Sequence, residues 1–409
     1  MGSGGHETTG AEAAHTTLGR PRAPGLGPDN AKSSDGRAEP YPVHDRAATE
    51  APNPVNDGLN LLKGTCMYGS WTHRGRRPAI RAGGLAAATA LLAAGCGGSG
   101  EGHTPAAASA PSTPLAVSGG PFWVDPDTKA AHQLAAYTRA GDDGRAALIR
   151  KIAEQPVGAW IAGDRPEGAV RAATGAAAKA GRMALLVLYN IPHRDCGQFS
   201  RGGAPDDDAY RDWVDQVARG IGERPTMVVL EPDAILHLVD GCTPEPFHAA
   251  RYALLKAAVE RLKQQPATKV YVDAGNAGWR SPDALDEPLR RAGIQSADGF
   301  AVNVSNFQTT GASREFGERL SAKVGGKHFV IDTSRNGNGP YTEGDPAENW
   351  CNPPGRALGE RPTTDTASGV IDAYVWAKRP GESDGPCRGG PPAGAWWPEY
   401  ALALAGNSR

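Results

Sequence analysis

Short apolar runs recur along the chain from residue 157 onward. Each gives way to a longer stretch in which apolar residues return at helical spacing. The runs near 157–163, 184–191, 226–232, 269–274, 299–304, 328–333 and 371–377 predict strands. The stretches near 165–182, 207–222, 244–264, 281–293 and 312–323 predict helices between them. Runs such as Leu185-Leu-Val-Leu188 and Met227-Val-Val-Leu230 show no polar alternation, so both faces of these strands are expected to be buried. Strands alternating with helices argue for parallel βαβ units with right-handed crossovers. The segment 344–362 reads as a long loop.

Polar side chains collect where the strands end: Tyr189, Asp233, Asp273, Ser305, Asn306, Asp332 and Lys378. A (β/α) barrel builds its active site at that rim, from the loops that follow its strands. An open doubly wound sheet would need a glycine-rich phosphate turn after its first strand, which Ile161-Ala-Gly-Asp164 does not supply. The expected fold is α/β: a distorted, incomplete (β/α) barrel of about seven parallel strands, with the active site at their C-terminal rim.

The N-terminal part reads differently. Residues 1–66 are rich in Gly, Pro, Ala, Ser, Thr and charge, with almost no apolar periodicity. They read as disordered, or as lying upstream of a true start at Met67. Residues 67–96 have the layout of a secretion signal, with Arg74, Arg76, Arg77 and Arg81 ahead of a short apolar stretch at 85–94. That stretch is too short to span a bilayer. It ends in Leu92-Ala-Ala-Gly-Cys96, which resembles a bacterial lipobox with Cys96 as the lipidated residue. Arg76-Arg77 also suits twin-arginine export, although Pro78 departs from that pattern. Residues 97–118 form a Gly, Ala, Ser and Pro tether, and 119–409 form one domain of about 290 residues. The expectation is an exported protein, held at the outer face of the membrane through a lipid on Cys96, or secreted. A cytosolic protein with an alanine-rich tail is the competing reading.

Net charge is −2, and the domain has no basic cluster, so neither nucleic acid nor an anionic membrane surface is an expected partner. A monomer is expected. Four of the six cysteines, Cys196, Cys242, Cys351 and Cys387, fall in the domain. An even set in an exported domain reads as two disulfides, with three connectivities open. No Cys-x-x-Cys or His-x-x-x-His spacing supports a metal site, and no cofactor is expected.

The chemistry is carried by two strand ends. In Thr226-Met-Val-Val-Leu-Glu-Pro-Asp233 a buried strand is stopped by Pro232, which has no N–H to donate, and it delivers an aspartate where solvation is poor. Burial raises a carboxyl pKa, as a general acid working near neutral pH requires. The run Leu185-Leu-Val-Leu-Tyr-Asn-Ile-Pro-His-Arg-Asp195-Cys196 repeats the arrangement, which suggests two carboxylates at one mouth. Bland alternatives exist for each aspartate. Asp233 could cap a helix starting at Ala234, Asp195 could pair with Arg194, and Asp384 sits in an Asp-Gly turn.

These stretches resemble glycoside hydrolase family 6, the inverting β-1,4-glucanases. The other matching motifs are Val272-Asp-Ala-Gly-Asn-Ala-Gly-Trp279, Ile331-Asp-Thr-Ser-Arg-Asn-Gly-Asn-Gly-Pro340, Trp350-Cys-Asn-Pro-Pro-Gly-Arg356 and Lys378-Arg-Pro-Gly-Glu-Ser-Asp-Gly385. They fall in order between Phe122 and the C-terminus. The resemblance implies the same distorted barrel and a β-glucan polysaccharide as substrate. It implies Asp233 as proton donor, Asp195 as the aspartate that raises the donor's pKa, and Asp384 as base. Ser200 matches a water-holding serine, although Arg201 interrupts the small residues usual in that loop. Trp160, Trp279 and Trp350 match glucose-stacking positions, and Tyr189 matches the residue that distorts the sugar. Asn306, Lys378 and Glu382 are expected hydrogen-bond partners. Asn276 stands where many members have His, and Asp273 is either structural or part of the proton network. Trp213, Trp376, Trp396 and Trp397 read as core. Together with chain order, the resemblance favours the pairs Cys196–Cys242 and Cys351–Cys387, each worth roughly 3–4 kcal/mol in the chain-entropy model.

The loops after Asp195 and around 378–387 are short, so an open cleft and endo-acting cleavage are expected. The competing readings are an exo-acting cellobiohydrolase, a non-catalytic glucan-binding lipoprotein, and a metal-dependent hydrolase built on Glu231, Asp233 and His237.

Overall fold

The computed structural model describes residues 120–408. The expectations for 1–66, 67–96 and 97–118, Cys96 included, lie outside the described residues. Seven strands form one sheet: β1 (Ala159–Ile161), β2 (Ala184–Leu188), β3 (Thr226–Leu230), β4 (Thr268–Asp273), β5 (Gly299–Val302), β6 (His328–Asp332) and β7 (Ile371–Val375). Their spatial order is their chain order, and every neighbouring pair is parallel.

The apolar runs are explained by two buried faces. Along β2, Leu185 and Val187 point into the barrel and meet Met227, Val229, Tyr271, Ala301, Val330, Ala373 and Val375. Leu186 and Leu188 point outward to the helices, with Val228, Leu230, Trp213 and Val217. Full burial stabilises each such side chain by about 1.5–3 kcal/mol.

No ladder joins β1 to β7, and the barrel is incompletely closed there. Their flanks still touch: the Gly158 N–H donates to the Trp376 carbonyl at 2.8 Å, and the Trp160 Nε1–H to the Ala377 carbonyl at 2.8 Å. Only glycine fits at 158, because a Cβ there would fall 2.5 Å from the Ala377 oxygen.

The helices α3 (Glu167–Lys179), α4 (Asp207–Ile221), α6 (His248–Leu262), α7 (Asp286–Arg291) and α8 (Thr310–Lys323) occupy the expected crossovers; α5 (Leu236–Val239) is a single turn after β3. Asp206 and Thr309 start α4 and α8 by accepting backbone N–H bonds. Three helices escape the strand–helix alternation: α1 (Lys129–Arg139) and α2 (Asp143–Ala153) before β1, and α9 (Pro398–Asn407) at the end. They pack with Trp376 and Leu358 into a separate cluster. They bury large side chains such as Ile149, Ile152, Tyr400 and Leu404 beside small ones such as Ala130, Ala146, Ala401 and Ala405.

Candidate active site

Buried acids at the strand ends hold the rim loops. Glu231 accepts from the Asn190 and Ile191 N–H groups at 2.9 Å and from the Tyr210 hydroxyl at 3.0 Å. Asp273 Oδ2 accepts from the N–H groups of Asp233 (2.9 Å) and Gly275 (3.2 Å). Asp332 accepts from Ser305, Ser334 and Lys378 N–H groups at 2.9–3.0 Å. Each carboxylate thus satisfies the backbone of neighbouring loops whose residues depart from ordinary conformations. Positive φ is found at His193, Asp195, Cys196, Glu231, Asp233, Asn303 and Ser305, all just beyond β2, β3 and β5. Strain of this kind costs of order 1–3 kcal/mol per residue and is maintained where the surroundings over-determine it.

Asp233 is partly exposed to solvent, yet densely surrounded by protein. Burial, followed by the negative charges of Asp273, Asp195 and Asp240, pushes its carboxyl well above the usual range. Its side chain caps nothing: α5 has no side-chain cap. Asp273 is itself raised to about 7 by burial, against the two N–H groups it accepts. Its Oδ1 is buried without a hydrogen-bond partner among the described residues, which favours the neutral acid. Asp195 is raised by burial, opposed by the Ser200 N–H (2.5 Å to Oδ2) and by Arg194. Arg194 spends its own donors on the Ser200 and Tyr189 carbonyls and forms no ion pair with Asp195.

Asp384 stands in a different environment. It is buried, with Arg335 at 2.8 Å, Lys378 Nζ at 2.8 Å and the Asn352 N–H at 3.0 Å. Burial alone would raise its carboxyl, but Arg335 and Lys378 overcome that and hold it at about 2. At Lys378 the balance falls the other way, since burial outweighs the carboxylate and lowers the ammonium's pKa. A carboxylate held at about 2 is a weak proton acceptor, which weighs against the base role expected for Asp384.

Trp160 meets Tyr189 edge-on, with centroids 5.4 Å apart. Tyr189 lies within the fields of Asp233 and Asp195, which add to burial in raising its phenol. Trp279 donates its indole N–H to Asp240 at 3.2 Å and borders a groove of about 420 Å³ lined also by Arg280, Glu315 and Arg319. Trp350 lies 6.1 Å from Phe199. Asn276 Oδ1 accepts from the Gly278 N–H and Asn306 Oδ1 from the Phe307 N–H, so both shape turns at the rim. Glu382 is engaged by Lys129 of α1 at 3.0 Å and by Arg379 at 3.5 Å, apart from the Asp384 ion pairs.

Disulfides join Cys196 to Cys242 and Cys351 to Cys387, with Cα separations of 5.9 and 6.2 Å. Cys196, His237 and Cys242 come within metal-binding reach of one another, but both sulfurs are spent in the disulfide. Glu231 commits its carboxylate to backbone and phenol donors, so the metal-hydrolase set is not assembled. Sequence reasoning missed Arg335, which is fully buried. Its position inside the Asp332-Thr-Ser-Arg335 motif, directly after a buried strand, was the available signal.

The family model for glycosyl hydrolases family 6 matches residues 117–408. The chain belongs to this family. Endoglucanase A of Cellulomonas fimi is 46% identical over 292 residues, covering 70% of the chain and 61% of that protein. Endoglucanase A of Thermobispora bispora is 41% identical, covering 70% and 62%. The chain thus spans about three fifths of the length of these two relatives. The solved endoglucanase Cel6 of Mycobacterium tuberculosis, in complex with a methyl-cellobiosyl-thio-cellobioside, is 44% identical with a TM-score of 0.66, covering 72% of this chain and 98% of that one. Its likeness accords with the seven-stranded, incompletely closed barrel described above.

Proposed function

We propose that the protein hydrolyses β-1,4-glucosidic bonds of cellulose or a related β-glucan with inversion, cutting within the chain. The carrying observation is Asp233, a partly exposed carboxyl just beyond β3 that burial and three neighbouring acids raise well above the usual range, and whose charge is felt by Tyr189, the ring that meets Trp160 edge-on. Asp233 protonates the glycosidic oxygen as the bond to the anomeric carbon breaks, and a water attacks that carbon from the opposite face. Asp384 stays anionic and offsets the positive charge that develops on the sugar. Asp195, whose carboxyl is raised by burial, is the stronger base and accepts the attacking water's proton relayed through intervening water. Sugar rings stack on Trp160, Trp279 and Trp350, while Lys378, Asn306, Asn276 and Glu382 line the remaining rim.

Endo action is supported by relatives named endoglucanases at 40–46% identity, against 29–30% for those named exoglucanase or cellobiohydrolase. One digestion tests both features. Proton NMR of the first product from a cello-oligosaccharide should show the α-anomer; a β-anomer removes the inverting mechanism. Viscosity of carboxymethylcellulose should fall well before reducing ends accumulate, and a proportionate fall would indicate exo action.

Two disulfides in a small-residue-tethered domain support export. The lipobox-like Leu92-Ala-Ala-Gly-Cys96 supports a lipid anchor, with residues 97–118 as tether to a monomeric catalytic domain. Cys96→Ser should move the protein from the membrane fraction to the medium at unchanged specific activity. Retention in the membrane would mean another anchor.

A further inference from the structure

We propose that Phe199 is a positioning residue for this reaction: its ring latches the loop that carries Asp195 and Ser200 onto the opposite side of the rim, where Trp350 and Asp384 sit. The loop 195–201 is pinned at its base, where Arg194 and Gly202 pair as an antiparallel bridge, and on one flank by the Cys196–Cys242 disulfide. On the other flank Ser200 is held by hydrogen bonds alone, its carbonyl accepting from Arg194 Nε at 2.8 Å and its N–H donating to Asp195. Asp195, Cys196, Gly197, Gly202 and Gly203 all take positive φ, so the loop is bent sharply at both ends. At its tip stands Phe199, one of the few large apolar side chains left in water among the described residues, 48% exposed.

What covers the rest of that ring identifies its role. The ring lies against Gly385, so closely that a Cβ at that position would fall 2.2 Å from Phe199 Cδ2. Trp350 meets the same ring at 6.1 Å between centroids and 40° between planes, within the range of favourable aromatic pairs. Gly385 directly follows Asp384, and Trp350 directly precedes Cys351, whose disulfide to Cys387 fixes both loops to each other. The ring therefore rests on a rigid platform. The residue after Phe199 is Ser200, whose N–H holds the Asp195 carboxylate. Seating the ring sets where Ser200 and Asp195 stand relative to Asp384. An apolar latch half open to water is weak enough to release, unlike the covalent ties around it.

The inference rests on the proposed glucanase activity, and the test separates the two. Phe199→Ala should lower kcat on cellotetraose about tenfold, since small misplacement of a catalytic group is costly. KM should change far less, because the stacking tryptophans remain, and the thermal midpoint should stay near that of the wild type. Phe199→Tyr keeps the ring and should retain wild-type kcat. Trypsin should cut faster after the exposed Arg201 in Phe199→Ala, read on a reducing gel because Cys196–Cys242 otherwise joins the fragments. Wild-type kcat with unchanged Arg201 cleavage in Phe199→Ala would overturn the latch, as would equal losses in the Ala and Tyr variants. A wild-type protein inactive on every β-glucan would instead overturn the glucanase reading.

Discussion

Asp233→Asn is expected to lower turnover on unactivated glucans by about 10²–10⁴-fold, the range a general acid contributes. Asparagine is the informative replacement. Asp233 has φ 69, and Asn tolerates this left-handed conformation far better than alanine does. The side chain caps no helix, so the amide disturbs no N-terminus. The backbone N–H at 233 still donates to Asp273, and the backbone carbonyl still accepts from the His237 N–H. Only the transferable proton is lost. Binding of cello-oligosaccharides, measured by calorimetry, should stay close to wild type. A substrate with a good leaving group, which needs little protonation, should lose far less rate than cellotetraose. Equal losses on both substrates would mean a damaged site; near-normal rates on cellotetraose would remove Asp233 from its role.

How much of this was legible in the sequence depends on which physical signal carried it. Strands such as Leu185-Leu-Val-Leu188 were readable because both their faces are buried, leaving no polar alternation. Helices α3, α4, α6 and α8 were readable because each covers one sheet face and turns a polar side to water. Helices α1, α2 and α9 were not, because they lie before β1 and after β7, outside the strand–helix alternation, and pack against one another. Among site residues, Asp233 and Asp195 announced themselves as acids ending apolar runs. Glu231 ends the same run as Asp233, but it satisfies four backbone and phenol contacts and is closed to substrate. Two acids separated only by Pro232, each at positive φ, thus have opposite fates. The environment of Asp384 was hidden for a different reason. Its partners Arg335 and Asn352 lie 49 and 32 residues away in the chain, and only the folded rim brings them together.

That ion-pair cluster should also give the largest effect on stability. Asp384→Ala leaves Arg335, completely buried, and Lys378, nearly so, without their shared counter-charge. Removing one partner of a buried pair costs about 3–5 kcal/mol, because the remaining charge has lost both water and partner. Arg335 keeps its bond to the Ser305 carbonyl at 2.6 Å and its seat over Phe307, which offset part of that loss but do not neutralise it. For a domain of this size the thermal midpoint should fall by about 10 °C. The pH dependence has a definite sign. Asp384 is held at about 2 in the folded protein against 3.8 in a free carboxyl, so its contribution is fully present above 3.8 and is lost as pH falls through about 2. The gap in stability between wild type and Asp384→Ala should therefore be wide at pH 7 and narrow steadily below pH 4. Denaturant unfolding of both proteins from pH 7 to pH 2 measures this. A variant as stable as wild type at pH 7 would mean that the two cations find other partners. A gap that widens in acid would mean that Asp384 is protonated in the native state, leaving it no anionic role in catalysis.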